Sequence, residues 1–129
     1  MHIDHVAIWT HNLEGLRAFY ETYFGGIAGT KYTNPARGFE SYFLTFEGGA
    51  RLELMSMPGI PPTRNDLLAQ FTGLIHIAIS VGSPEAVDAL TERLRRDGIR
   101  VVGEPRRTSD GYYESVILDP DGNRVEITA

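Results

Sequence analysis

The chain has 129 residues, 42% of them hydrophobic, and a formal charge of -5, which suits one globular domain or two small modules that share a core. The acidic balance excludes a general nucleic-acid or anionic-membrane binder, no apolar run reaches the roughly 20 residues of a membrane span, and the N-terminus lacks a secretion signal, so a small-molecule partner and the cytoplasm are expected. With no cysteine, disulfides, thiolate nucleophiles and thiolate metal sites are excluded, and any metal must be held by nitrogen and oxygen.

The first apolar run, Ile3-Asp4-His5-Val6-Ala7-Ile8, reads as a strand in which His5 and Ala7 oppose Val6 and Ile8. Asn12 then caps a helix whose Leu13, Leu16, Phe19, Tyr20, Tyr23 and Phe24 recur on one face, with Gly25-Gly26 ending it. That aromatic stripe reads as core. Residues 27–33 form a weak strand, and Asn34-Pro35-Ala36-Arg37-Gly38 carries loop punctuation. Residues 39–46 and 51–55 read as a hairpin about the Glu47-Gly48-Gly49 turn. Pro58, Pro61 and Pro62 then break regular structure, giving a linker over 58–72 between modules at 1–57 and 73–129.

The second module repeats the first. The strand-like run from Gly73 to Val81 places His76, Ala78 and Ser80 on one face, and Ser83-Pro84 opens a helix with Val87, Leu90 and Leu94 on one side, ending at Gly98. Residues 100–102 read as a short strand, 104–111 as a polar loop and 114–118 as a better strand. Asp119-Pro120-Asp121-Gly122-Asn123 is a turn, and Arg124-Val125-Glu126-Ile127-Thr128 closes the chain with the pattern of Arg51-Leu52-Glu53-Leu54.

Each module thus reads strand, helix and three strands, with a His in its first strand and a Glu in its last. The two His lie roughly 70 residues apart, as do the two Glu, which is the self-similarity of a duplicated unit. The expected fold is α+β: two tandem βαβββ modules whose curved mixed sheets pair around a metal-containing cleft. If first and last strands are neighbours, facing modules bring His5, Glu53, His76 and Glu126 to one point. A half-buried Glu is costly unless paired or metal-bound, and here it occurs twice at equivalent places. This nitrogen and oxygen set suits one divalent ion per site, Zn, Ni, Co, Mn or Fe. His2 and His11 have no counterparts and read as surface residues.

With Asp4-His5-Val6-Ala7-Ile8, Phe19-Tyr20 followed by Phe24-Gly25, Arg51-Leu52-Glu53-Leu54, His76 to Val81, and Asp119-Pro120-Asp121-Gly122 leading to Glu126, the whole chain resembles the vicinal-oxygen-chelate superfamily, which includes glyoxalases, bleomycin-resistance proteins and extradiol dioxygenases. The resemblance implies paired βαβββ modules, a metal within the cleft and a homodimer. A His, Glu, His, Glu quartet is similar to that of glyoxalase I, whereas methylmalonyl-CoA epimerases resemble it with Gln in place of Glu53. Fosfomycin-resistance enzymes and extradiol dioxygenases use two His and the final Glu alone, so Glu53 points to an isomerase or lyase. The same resemblance makes Glu126 the base that moves a proton beside a metal-chelated carbonyl, with Glu53 its counterpart.

One departure bears on the substrate. Bacterial glyoxalase I carries an Arg four residues after its first His and an Asn four residues after its first Glu, both gripping glutathione. Trp9 and Met57 occupy those positions here, and neither side chain makes charge-assisted contacts to a carboxylate. A small substrate other than the glutathione hemithioacetal is expected, with Trp9, Met57 and Arg51 as candidate contacts. The alternatives are a dioxygenase or thiol-transfer resistance enzyme of the same superfamily, or a non-catalytic drug-binding module.

Overall fold

The computed structural model describes residues 1–129, and the chain divides into two compact units, Met1–Thr63 and Arg64–Ala129. The architecture is α+β: two helices and nine strands in two mixed sheets, as two βαβββ modules.

Unit 1 runs β1 (His5–Trp9), α1 (Leu13–Phe24), β2 (Ile27–Ala28), β3 (Tyr32–Asn34), β4 (Phe39–Thr45) and β5 (Arg51–Ser56). Asn12 caps α1 by accepting from the Gly15 backbone N–H, and Gly25, at φ 65°, closes it in the left-handed conformation that glycine takes without steric cost. Leu16, Phe19 and Tyr20 on the buried stripe of α1 meet Leu44, Leu52 and Leu54 of the sheet. Within α1, Phe19 contacts the rings of Tyr20, Tyr23 and Phe24, so the helix side of this interface is aromatic and the sheet side aliphatic. The single weak strand expected over 27–33 is instead two short strands. Both pair antiparallel with β4, at Leu44–Thr45 and at Phe39–Ser41, so they form one interrupted edge.

Unit 2 runs β6 (His76–Ser80), α2 (Pro84–Arg96), β7 (Val101–Arg107), β8 (Tyr113–Leu118) and β9 (Arg124–Thr128). Ser83 caps α2 through the Ala86 N–H, and Pro84 follows, where its missing donor costs nothing. Val87 and Leu94 pack toward Ile117, Val125 and Ile127, all fully buried. Beneath α2 lies a polar pair in place of rings: Thr91 Oγ1 donates to the Val87 carbonyl and accepts from Ser115 Oγ at 2.7 Å. The Asp119 carboxylate holds the β8–β9 turn by accepting from the Asp121 and Asn123 backbone N–H groups and from Asn123 Nδ2, each at 2.9 Å.

The first half of the loop expected over 104–111 is strand, and only 108–111 are loop. β7 continues to Arg107 because register shifts between Val101 and Gly103 and between Gly103 and Arg106 take Pro105 out of the ladder, so its missing N–H breaks no pairing. Arg106 and Arg107 therefore stand on a strand and not on a mobile tip.

The strand order is the same in both units. In unit 1 it is β1-β5-β4-β2, in unit 2 β6-β9-β8-β7, and in each the first and last strands run side by side in parallel. That adjacency positions the candidate site. No helix is long and apolar enough to cross a membrane.

Candidate functional site

In each unit one sheet face is covered by the helix and the other carries the chemistry. Strand alternation sends Val6, Ile8, Leu52 and Leu54 toward α1, so His5, Ala7, Trp9, Arg51, Glu53 and Met55 share the opposite face. Glu53 is registered against Ala7, two residues beyond His5, and the side chains lean together to put His5 Nε2 3.6 Å from Glu53 Oε2. Unit 2 repeats this: Glu126 is registered against Ala78, and His76 Nε2 stands 3.7 Å from Glu126 Oε2. Both distances exceed an ordinary hydrogen bond. Two donors of different type face each other without closing on one another.

Exposure is matched as well. The His side chains are 40% and 42% exposed and their Glu partners 14% and 17%, so each carboxylate is sunk in the sheet face with an imidazole at its edge. In neither unit do three or more His, Asp or Glu side chains form a group that could hold a metal ion by themselves. Each unit supplies one nitrogen and one carboxylate, a pair of the chemistry that divalent ions accept.

The surroundings differ between units. Asp4 accepts from His5 Nδ1 at 2.8 Å and from Arg51 Nη2, and the His5 bond first, then the Arg51 bond, holds the Asp4 carboxyl below the usual value. The Arg51 guanidinium lies 4.4 Å over the Phe43 ring, and His5 meets the same ring edge-on at 5.2 Å. Arg51, a candidate substrate contact, is thus engaged by Asp4 and Phe43. Trp9 is 40% exposed and meets Phe39 edge-on, which in turn meets Tyr32. Met57, the other candidate substrate contact, falls just past the end of β5, and its Sδ lies 3.9 Å from Arg37 Nη2.

In unit 2, Ile75 stands where unit 1 has Asp4. Arg124 donates to the Leu67 and Leu68 carbonyls, tying that stretch of chain to β9. The tip of the Leu67 side chain also lies over Gly122, which takes a positive φ of 84°. His11, expected at the surface, is exposed and its Nε2 donates to the Ile60 carbonyl at 2.6 Å.

Sequence reasoning passed over Glu114. It lies on β8 with Val116 and Leu118, away from α2, is 8% exposed, and is held by Arg106 Nη2 at 3.1 Å. Burial, then the adjacent negative charge of Glu126 and a hydrogen bond with it, push the Glu114 carboxyl above its usual value against the pull of Arg106. A signal was present: alternation through Tyr113-Glu114-Ser115-Val116-Ile117-Leu118 puts this Glu on a face with two apolar neighbours.

The family model for the Glyoxalase/Bleomycin resistance protein/Dioxygenase superfamily matches residues 2–127. No curated protein matches the chain. Among solved structures, SMU.1112c is 26% identical with a TM-score of 0.81, covering 100% of this chain and 98% of its own. The trypanothione-dependent glyoxalase I of Leishmania major is 23% identical with a TM-score of 0.79, over 99% of this chain and 86% of that one. Glyoxalase I from Zea mays is 21% identical with a TM-score of 0.76, over 98% of this chain and 44% of the longer maize chain. The likenesses to the Leishmania and maize proteins concern the fold.

Proposed function

Because the chain belongs to the Glyoxalase/Bleomycin resistance protein/Dioxygenase superfamily, we propose that it is a divalent-metal-dependent isomerase or lyase of the glyoxalase I type acting on a small carbonyl substrate. His5 and Glu53 from unit 1 and His76 and Glu126 from unit 2 are the ligands. The observation that supports this reading is the duplicated pair itself: the same two residue types, two positions apart on parallel neighbouring strands, at 3.6 and 3.7 Å. The donor set fits Zn, Ni, Co, Mn or Fe(II), and such an ion, when bound, supplies Lewis acidity toward the oxygens of a substrate.

The chain's own residues move the proton. Glu126 takes it from the carbon beside the substrate carbonyl, and Glu53 is its counterpart. Both carboxylates are largely withdrawn from water. Trp9 and Met57 present an indole and a thioether where a glutathione-gripping site needs a cation and an amide. The substrate is therefore smaller or more apolar than the glutathione hemithioacetal. A homodimer is the assembly that goes with this reading, since small modules gain from symmetric burial.

Elemental analysis tests the assignment. The wild-type protein should carry about one divalent ion per site, and His76→Ala should lose most of it, because removing one ligand of a compact site weakens it strongly. Unchanged metal content in His76→Ala would overturn the ligand set.

A further inference from the structure

Beyond its His and Glu pair, the same face of the unit 1 sheet carries rings. Tyr32 is registered against Ser41, Ser41 against Met55 and Met55 against Trp9, so these side chains form one row across β3, β4, β5 and β1. Phe39, two residues before Ser41 on that face, links the ends of the row. It meets Trp9 edge-on at 88° and Tyr32 at 60°, each with ring centroids 6.0 Å apart. Met55 lies two residues beyond Glu53, which sets the row about 7 Å from that carboxylate's own place in the sheet. Trp9 and Tyr32 remain 40% and 57% exposed.

The fold does not require rings here. The matched row of unit 2, two residues beyond Glu126, runs Arg106, Glu114, Thr128 and Ser80, all of them polar. Contiguous exposed apolar groups mark ligand sites, as scattered single side chains do not, and an apolar wall with a few polar groups at one end is the usual make-up of a small-molecule site. Two rings at a right angle form a corner that a third ring fills by lying flat on one and edge-on to the other, the two arrangements that aromatic pairs favour.

We infer that Trp9, Phe39 and Tyr32 form a subsite for an aryl group, so that the substrate carries an aromatic ring about 7 Å from the oxygens at its reacting end. This rests on the reading of His5 and Glu53 given above. The rings set specificity, and the chemistry stays with the His and Glu pairs.

Trp9 is the chain's one tryptophan, so its emission reports the subsite directly. The probes are 2-hydroxy-4-phenylbutanoate, its cyclohexyl counterpart and 2-hydroxybutanoate, which share an oxygen-bearing end and differ in what reaches the row. Each is titrated into metal-free and Ni²⁺-loaded protein, by Trp9 emission for the wild type and by calorimetry for the variants. The phenyl probe should shift the emission saturably and bind about 10-fold or more tightly than 2-hydroxybutanoate, with or without Ni²⁺. It should bind about 2–10-fold more tightly than the cyclohexyl probe. Trp9→Leu and Phe39→Leu, which keep apolar bulk and remove a ring, should each lower that preference. Exposed Tyr32→Leu serves in the same way where either chain does not fold. Equal wild-type affinity for the phenyl probe and 2-hydroxybutanoate, a cyclohexyl probe bound as tightly as the phenyl one, or a preference unchanged in the ring variants would each overturn the inference. Emission that shifts with protein concentration alone would also overturn it, since a second copy would then cover the rings. Failure of the wild type to bind Ni²⁺ would overturn only the metal reading, because the ring preference of the metal-free protein still decides the subsite.

Discussion

Unit 1 and unit 2 position a His and a Glu by one rule, two residues apart on parallel neighbouring strands, yet surround the two pairs differently. In unit 1 the support goes to the His: Asp4 holds His5 Nδ1, and Phe43 packs against the ring. In unit 2 the support goes to the Glu: Glu114 and Arg106 stand behind Glu126, while Ile75 replaces Asp4. Duplication accounts for the shared skeleton, since strand order and register depend on backbone pairing that both halves inherit. Side chains off the ladder's direct pairs are free to diverge. The difference teaches that the two carboxylates sit in unlike surroundings: Glu126 has the buried Glu114 diagonal to it across the ladder, where Glu53 has Ser41.

The largest effect should come from breaking that inequivalence at its centre. Glu126→Gln keeps an oxygen for a metal and removes the basicity, so turnover should fall roughly 100-fold or more with metal retained. Glu53→Gln should fall less. The measurement is exchange of a substrate proton with deuterated water at the carbon beside the carbonyl, using whichever α-hydroxycarbonyl compound the wild type accepts. Equal losses in the two variants would make the carboxylates equivalent, and full turnover in Glu126→Gln would move the proton transfer to Glu53.

What was legible in the sequence, and what was not, follows from the range of the interactions. The βαβββ order was readable because apolar periodicity switches from 2 to 3.6 and back at capped boundaries, as at Asn12 and Ser83. The His and Glu pairs were readable because they repeat. Glu114 was legible only as a carboxylate on an apolar strand face; that it lies diagonal to Glu126 across the β8–β9 ladder needs the register and not merely the strand. Arg106 was further out of reach. Its pairing depends on two irregularities in β7, and a polar stretch containing Pro105 reads locally as a loop.

A smaller effect sharpens the comparison under the helices. Tyr20 and Thr91 lie at the same distance from their caps, and both are fully buried. Unit 1 fills the space with rings, unit 2 with the Thr91–Ser115 hydroxyl pair. Thr91→Val removes the acceptor for Ser115 Oγ–H and should destabilise unfolding equilibria by about 1–3 kcal/mol, the cost of a buried donor left unmade. Adding Ser115→Ala should recover part of that loss, because the orphaned donor is gone. Urea denaturation of the single and double variants measures it. A double variant less stable than Thr91→Val by a full additive increment would mean that the pair acts through packing alone.

The smallest expected effect separates the two His residues. Asp4 is exposed, and its carboxyl is held below the usual value by the bonds from His5 and Arg51. A depressed carboxyl contributes its contacts fully above its ordinary pKa and loses them as pH falls through the depressed value, so at neutral pH the Asp4–His5 contact is intact in the metal-free protein. Asp4→Asn should leave the melting temperature at neutral pH unchanged, since the bonds are at the surface. It should weaken Ni²⁺ binding by no more than about 10-fold, the low end for a carboxylate that orients a ligating His. Ile75→Asp tests the converse: it gives His76 the partner that His5 has, and Ni²⁺ affinity should rise or hold. Should Asp4→Asn bind Ni²⁺ as tightly as wild type, the His5 ring is fixed by Phe43 alone, and the contrast between the units narrows to the carboxylate side.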